Sequence, residues 1–277
     1  MIALDNTSGK INFMATISTL EIENTESLVD TSKWVEGQVI ANHHWTRWLY
    51  SLQVEATEVT FEAGQFGRLG LIINGEFVTR SYSFVNPPNK PHLEFYSIIV
   101  SEGSLSPRLA ELKSGDKVWL FRKAAGFLVL SQIQTTDTLW MLSTGTAIGP
   151  FLSILQTQEP WQRYSKIVLA HSVRTSEELV YQDLIQILYK QYPDQFIMVP
   201  LVSREECEGA IYGRITTSIT DGRMAQYTGL TIDEKLSQVM ICGNPDMVRD
   251  TTALLKEKGL TENRRRHPGQ ISVEKYW

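Results

Sequence analysis

Cysteine is scarce in this sequence: of 277 residues, only Cys207 and Cys242 carry a thiol. Two cysteines cannot build the disulfide framework of a small secreted domain, and they fall short of the ligand set of an iron–sulfur cluster. Any redox centre must therefore come from an organic cofactor, and no metal site is expected. Long apolar runs are missing too. The longest, Lys166 to Ala170 and Gln195 to Val202, meet polar residues well before they reach the length of a membrane span. No basic stretch followed by an apolar core opens the chain, so the expectation is a cytoplasmic protein without a membrane partner. Nor is positive charge in excess. The formal net charge of −5 argues against a nucleic-acid partner, because phosphate neutralisation needs clustered cations. One cluster stands against that background, Arg264-Arg265-Arg266-His267, which is either a solvated surface run or a docking patch.

What is present is ordinary for a globular protein, and the length fits two domains. Residues 1–33 are rich in Asn, Thr, Ser and Glu with only one short apolar stretch, Ile11 to Ile17. They read as a loosely held extension, and Met14 is an alternative start. Over 34–131 the period is two: Tyr50, Leu52 and Val54 alternate with Ser51, Gln53 and Glu55, as in a half-buried strand. Leu69 to Ile73, then Asn74-Gly75, then Glu76 to Ser83 reads as a hairpin, since Asn-Gly accepts the positive φ angles of a type I′ turn. With Leu93 to Val100 and Lys117 to Arg122 also strand-like, this half is expected to form a small antiparallel β-barrel. One helix follows Ser106-Pro107, with Ser106 as its cap, and stops before Gly115.

Over 132–277 the pattern becomes strand, loop, amphipathic helix, repeated, which predicts a parallel α/β sheet with helices on both faces. Strands are expected at Leu139 to Ser143, Ile167 to His171, Phe196 to Val202 and Gln238 to Cys242. Helices follow with apolar faces Ile148, Phe151, Leu152, Leu155; Tyr181, Leu184, Ile185, Leu188; and Val248, Thr251, Leu255. Ligands of such sheets bind beyond the C-terminal strand ends. Those ends carry Thr144 to Pro150, Arg174, Ser203-Arg204 and Cys242-Gly243-Asn244-Pro245. Gly145 and Gly149 let a ligand approach the backbone, and the helix behind them offers N–H groups to an anion. A tight turn with no ligand fits that segment equally well. Arg174 and Arg204 on successive strand ends, with Arg214 nearby, favour a phosphate, and specifically the 2′-phosphate of NADP. In the first half, Arg80-Ser81-Tyr82-Ser83 combines a cation, a ring and two hydroxyls that suit a flavin and its phosphate. Gly103-Ser104-Leu105-Ser106 leads into a helix start fit for a pyrophosphate. The pair His43-His44 lies on a strand, so its side chains point to opposite faces and cannot ligate one metal together.

Taken together, Arg80 to Ser83, Thr144 to Pro150, Cys242 to Pro245 and the terminal Tyr276-Trp277 closely resemble the bacterial ferredoxin/flavodoxin–NADP reductases. The resemblance runs from about Trp34 to the last residue. It implies an FAD-binding barrel followed by an NADP-binding α/β domain, and an oxidoreductase in which hydride passes between NADPH and FAD and single electrons between FAD and ferredoxin or flavodoxin. By the same resemblance Arg80 and Ser81 bind FAD at its phosphate end, Tyr82 packs on the isoalloxazine ring and Ser83 hydrogen-bonds near N5. Tyr96 lines the flavin site, Ser104, Leu105 and Ser106 hold the pyrophosphate, Thr146 reaches toward both rings, and Trp277 stacks on the cofactor. Val173, Arg174, Ser203, Arg204 and Arg214 surround the NADP adenosine, with Gly243 and Asn244 also in the NADP site. Ser83, Tyr82 and Cys242 are the residues expected to tune or position the reacting groups, with a buried small core residue an equally good reading of Cys242. Arg264, Arg265 and Arg266 are given a use as a docking patch for an acidic carrier, and the chain is expected to act as a monomer. Rival readings are another flavin reductase on the same scaffold and a nucleotide-binding module that has lost the flavin.

Overall fold

The computed structural model describes residues 28–276. The stretch Ile11 to Ile17, Met14 and the terminal Trp277 lie outside the described residues. Of residues 28–33, the end of the expected extension, only Val29 is buried and the rest are exposed. Arg122 donates from Nη2 to the Thr31 carbonyl at 3.2 Å.

The first half forms strands β1 (Trp34–His44), β2 (Leu49–Glu55), β3 (Phe66–Ile73), β4 (Glu76–Ser83), β5 (Leu93–Ile98) and β6 (Lys117–Phe121). They pair antiparallel in the order β4-β3-β6-β1-β2-β5, and the sheet curls until Phe84, just past β4, bridges Phe95 in β5. The barrel is filled by Tyr50, Leu52, Leu69, Phe84, Phe95 and Leu120. The expected hairpin is there: Asn74 (φ 52°) and Gly75 (φ 81°) make the turn between β3 and β4. Two local readings need correction. Ser51, expected on a solvent face of β2, is buried because the second half of the chain packs over it. Ser106 does not cap its helix. The helix runs Ser106–Glu111 with Leu105 at the cap position, and the Ser106 hydroxyl instead accepts the Val100 N–H at 2.9 Å, tying down the preceding loop.

The second half forms β7 (Thr138–Thr144), β8 (Lys166–Val173), β9 (Phe196–Val202), β10 (Ile211–Tyr212), β11 (Ser237–Gly243) and β12 (Ile271–Lys275). All pair parallel, in the order β10-β9-β8-β7-β11-β12. Leu139 and Met141 of β7 belong to one apolar cluster and Trp140 and Leu142 to another, so the sheet is buried on both faces. Helices Gln182–Gln191 and Pro245–Glu257 bury the expected stripes Ile185, Leu188 and Val248, Thr251, Leu255. Helix Gly149–Leu155 departs from the one-faced expectation, since every residue in it is buried. It is clasped between the sheet and the barrel: Ser153 Oγ donates to the Asn86 carbonyl at 2.8 Å, and Gln156 Nε2 to that of Val85 at 2.9 Å. Among the described residues no helix is long and apolar enough to cross a membrane.

Candidate functional site

The chain steps outward from β7 to β10 and then returns to the other side of β7 for β11, so the strand order reverses between β7 and β11. Loops on either side of such a reversal part and leave a crevice. The loop after β7 begins at Gly145 (φ 55°), where a Cβ would meet nothing within 4 Å, and makes one 3-10 turn to Ile148. Gly149 does not serve ligand access as expected; a Cβ there would touch Val85 Cγ2 at 3.4 Å, so it faces the barrel. The loop is held from below by His171, whose Nε2 donates to the Gly145 carbonyl at 2.9 Å. Burial drives the His171 pKa down to about 4, which keeps the ring neutral. After β11, Gly243 adopts φ 145°, and a Cβ there would overlap the Thr144 hydroxyl. Glycine lets the two loops close up, and Thr144 Oγ1 then accepts the Asn244 N–H at 2.9 Å. Asn244 is also a helix cap: its Oδ1 accepts from the N–H groups of Asp246 (2.9 Å) and Met247 (3.3 Å).

Over this crevice lies a cavity of about 420 Å³. Val173, Arg174, Ser203, Arg204, Arg214, Gly243 and Asn244, all singled out from the sequence, line it together. Ser203 Oγ donates to the Val173 carbonyl at 3.0 Å, joining two of these strand ends. Arg174, Arg204 and Arg214 are exposed, and among the described residues none forms an ion pair. The acids on the opposite wall, Asp246 and Asp250, are already paired with Arg249 at 2.6 and 2.9 Å. Glu178, the remaining acid on the wall, forms no ion pair among the described residues, so three arginines face one unpaired carboxylate and the cavity keeps a net positive charge, the requirement for a phosphate site.

A second cavity, of about 720 Å³, lies against the barrel. Arg80, Ser81, Tyr82 and Ser83 line it along β4, and Ser104, Leu105 and Ser106 face them. Tyr96, Ile98, Thr146 and Tyr276 belong to the walls of both cavities, which are thus adjacent. The sequence reading missed one wall. Strand β12 adds to the sheet edge beside β11 and delivers Glu274, Lys275 and Tyr276 into the larger cavity. Burial raises the Glu274 carboxyl to about 7, and its Oε1 is buried without a hydrogen-bond partner. Burial likewise pushes the Tyr82 phenol up to about 12, against the pull of Arg80. The Tyr276 phenol rises well above its ordinary range, through burial first and then the neighbouring Cys242.

Cys242 is the one described residue of the expected set that lines neither cavity. It is fully buried in the apolar cluster behind the wall, and burial raises its thiol pKa well above the ordinary value. The protonated, enclosed thiol lies behind Tyr276, which packs against the same cluster.

Comparison with known proteins decides the family. A flavodoxin/ferredoxin–NADP reductase of Escherichia coli (strain K12) is 48% identical over 245 residues, covering 88% of this chain and 99% of that protein. This chain belongs to the flavodoxin/ferredoxin–NADP reductases. A ferredoxin–NADP reductase of Pseudomonas aeruginosa is 36% identical over 248 residues, covering 86% of this reductase and 95% of its own length. The family described as "Oxidoreductase NAD-binding domain" matches residues 141–253, which span most of β7, all of β8 to β11, and the crevice. The crystal structure of a ferredoxin NADP+ reductase from Neisseria gonorrhoeae, with bound FAD and NADP, is 33% identical with a TM-score of 0.84. It covers 88% of this reductase and 99% of that chain.

The larger cavity fits a flavin dinucleotide on its own chemistry. It offers three phenol rings, a guanidinium with hydroxyls at the β4 side, and in Glu274 Oε1 a buried polar atom that protein groups leave unpaired.

Proposed function

We propose that this reductase holds FAD in the larger cavity and NADP(H) in the smaller, and passes single electrons to flavodoxin or ferredoxin. The observation that carries the reading is the shared wall of Tyr96, Ile98, Thr146 and Tyr276, which sets the two cavities side by side at the crevice. When bound, the flavin supplies the conversion from a two-electron hydride donor to single-electron output. The chain's residues bind, orient and exclude water. Arg80 and the hydroxyls of Ser81, Ser104 and Ser106 meet the dinucleotide phosphates, with Leu105 packing beneath them, while Tyr82 and Ser83 orient the flavin ring. Arg174, Arg204 and Arg214 take the 2′-phosphate end of NADP, with Val173 and Ser203 beside the adenosine. Gly243 and Asn244 bring the β11 loop close to the nicotinamide end. Glu274 keeps a proton in the flavin wall up to about pH 7. Trp277, next in sequence to Tyr276, is assigned to stacking on the cofactor. The described lining of each cavity comes from a single copy, which fits a monomer, and we place the domain division at 131/132, between β6 and β7, with one cofactor domain on each side of it. The reading takes the protein to be cytoplasmic.

The carrier must approach a chain of net charge −5, so a local positive patch has to steer an acidic partner. We assign that patch to the 264–266 run. Glu262 bridges Ile271 in parallel, so the run leaves in the direction of β12, toward Glu274. Arg264 is partly spent on Glu262 at 3.1 Å, which leaves Arg265 and Arg266 as the stronger steering charges. Beside the flavin cavity Phe127 is 75% exposed and follows Gly126, whose Cβ would meet Phe66 and Glu274. It is a candidate apolar anchor for the same partner. Replacing Arg265 and Arg266 with Glu is expected to slow flavodoxin reduction about tenfold at low salt and to flatten its salt dependence. Phe127→Ala is expected to raise the KM for flavodoxin at every salt concentration. Stopped-flow flavin reduction by NADPH stays unchanged in both variants. Wild-type carrier kinetics in both would remove the patch from the account.

A further inference from the structure

One residue outside the cofactor walls ties the two halves together. Tyr181 stands at the start of helix Gln182–Gln191 in the second half, yet its hydroxyl meets side chains of the barrel. It lies 2.5 Å from Ser51 Oγ on β2 and donates to Glu94 Oε1 on β5 at 2.8 Å. Trp45 Nε1 donates to the same Ser51 oxygen at 2.7 Å. Since Ser51 accepts from Trp45 and Tyr181 donates to Glu94, the remaining Ser51 proton points at the Tyr181 oxygen. The donors therefore run one way, from Trp45 through Ser51 and Tyr181 to Glu94. The Tyr181 ring sits 4.8 Å from that of Trp45, and 5.4 Å from that of Tyr96 at 82°. Its backbone is left-handed, φ 61° and ψ 27°. Among the described residues the only other non-glycine with positive φ is Asn74, in a turn that suits it. An aromatic residue is seldom found there, and it persists only where its surroundings over-determine it.

Two parts of the proposed reaction site depend on this anchor. Tyr96, braced edge-to-face by Tyr181, is a wall of both cavities. The seven residues before Tyr181, 174–180, include Arg174 and Glu178 of the NADP cavity, drawn together by the Arg174 N–H to Glu178 Oε2 bond at 3.1 Å. A shift of Tyr181 would move the flavin-side wall and the phosphate-binding segment relative to each other.

We propose that Tyr181 is a positioning residue for hydride transfer, which fixes the Tyr96 ring at the junction of the two cavities and anchors segment 174–180 to the barrel. The proposal rests on the cofactor assignment made above. Because Tyr181 touches neither cavity, its contribution falls on the alignment of the two rings and hence on rate, not on the affinity of either cofactor.

Tyr181→Phe keeps the ring and removes the hydroxyl. In the flavin-loaded protein the expected result is a fall of about tenfold in the single-turnover rate of flavin reduction by NADPH. Flavin retention, the KM for NADPH and the Kd for 2′-phospho-AMP stay within about twofold, as expected of a contribution to alignment. Electron delivery from chemically reduced protein to flavodoxin stays at the wild-type rate. Amide exchange across 175–181 accelerates while that of Ile185 to Leu188 does not. Ser51→Ala breaks the same chain of donors from the barrel side and gives the same split, which keeps the test open should Tyr181→Phe fold poorly. The proposal is overturned if both variants reduce at the wild-type rate, or if the rate falls only in step with flavin loss and a raised KM. Failure of the wild-type protein to bind 2′-phospho-AMP overturns the cofactor assignment; intact wild-type binding with no variant effect overturns this proposal alone.

Discussion

Replacing Arg174 and Arg204 together by alanine is expected to erase the preference for NADPH over NADH, by lowering kcat/KM for NADPH about a hundredfold to ten-thousandfold. A charge-assisted hydrogen bond contributes about 1.5–3 kcal/mol, and each tenfold in kcat/KM is about 1.4 kcal/mol, so two lost guanidinium contacts give that range. The geometry supports an effect near the upper end. Neither arginine forms an ion pair among the described residues, the wall acids Asp246 and Asp250 are held by Arg249, and Glu178 accepts the Arg174 backbone N–H. NADH lacks the 2′-phosphate, so its kcat/KM should stay within about threefold of wild type, as expected when only binding to the missing group is removed. The measurement is steady-state kinetics with both donors at one ionic strength. Survival of the NADPH preference in the double variant would move the 2′-phosphate away from these strand ends.

The second large effect lies in acid stability. Between pH 4.5 and 6.5 His171 and Glu274 pull in opposite directions. The folded pKa of His171 is lowered from 6.5 to about 4, by burial first. The unfolded chain binds this proton below pH 6.5 and the folded one does not, so stability falls as pH falls, by about 1.4 kcal/mol per unit. Glu274 is raised from 4.5 to about 7, again by burial. Here the folded chain holds the proton and the unfolded one has released it, so stability rises as pH falls through the same window. The two slopes offset each other. The acids with lowered pKa, Asp30, Glu205, Asp221 and Glu262, are exposed or nearly so and titrate at or below the lower end of the window. Wild-type urea stability should therefore be nearly flat there. Glu274→Gln leaves His171 unopposed and is expected to lose about 3 kcal/mol between pH 6.5 and 4.5, while His171→Gln tilts the other way. A Glu274→Gln profile as flat as wild type would contradict the buried carboxyl.

The cofactor walls were legible in the sequence wherever a residue's type and its place at a strand end coincide. Arg80 to Ser83 end the hairpin that Asn74-Gly75 announces, and Arg174 and Arg204 follow apolar runs too uniform to be anything but buried parallel strands. What escaped depends on pairing between distant segments. Strand β12 has five residues, and although Ile271 and Val273 alternate with Ser272 and Glu274, so short a run after a basic stretch does not announce a further parallel strand; its place beside β11 is what brings Glu274 and Tyr276 to the larger cavity. His171 reads as one more core position of β8, and only the register Ser143 to His171 sets it under the Gly145 loop. Ser51 and Tyr181 are invisible for the same reason: alternation assigns a face of β2 to solvent, and only the docking of the second half covers it. Cys242 shows the reverse. A cysteine next to Gly-Asn-Pro looks like part of a site, yet strand alternation turns it into the core.

The most direct test of the account is the visible absorption spectrum of the purified protein, recorded anaerobically, then with NADPH, then with oxidised flavodoxin or ferredoxin. The account predicts a flavin band that bleaches on NADPH addition and returns when the carrier is added, which would join cofactor, donor and electron route in one sample. A protein that stays colourless after incubation with FAD, or a flavin band that NADPH leaves unchanged, would contradict it.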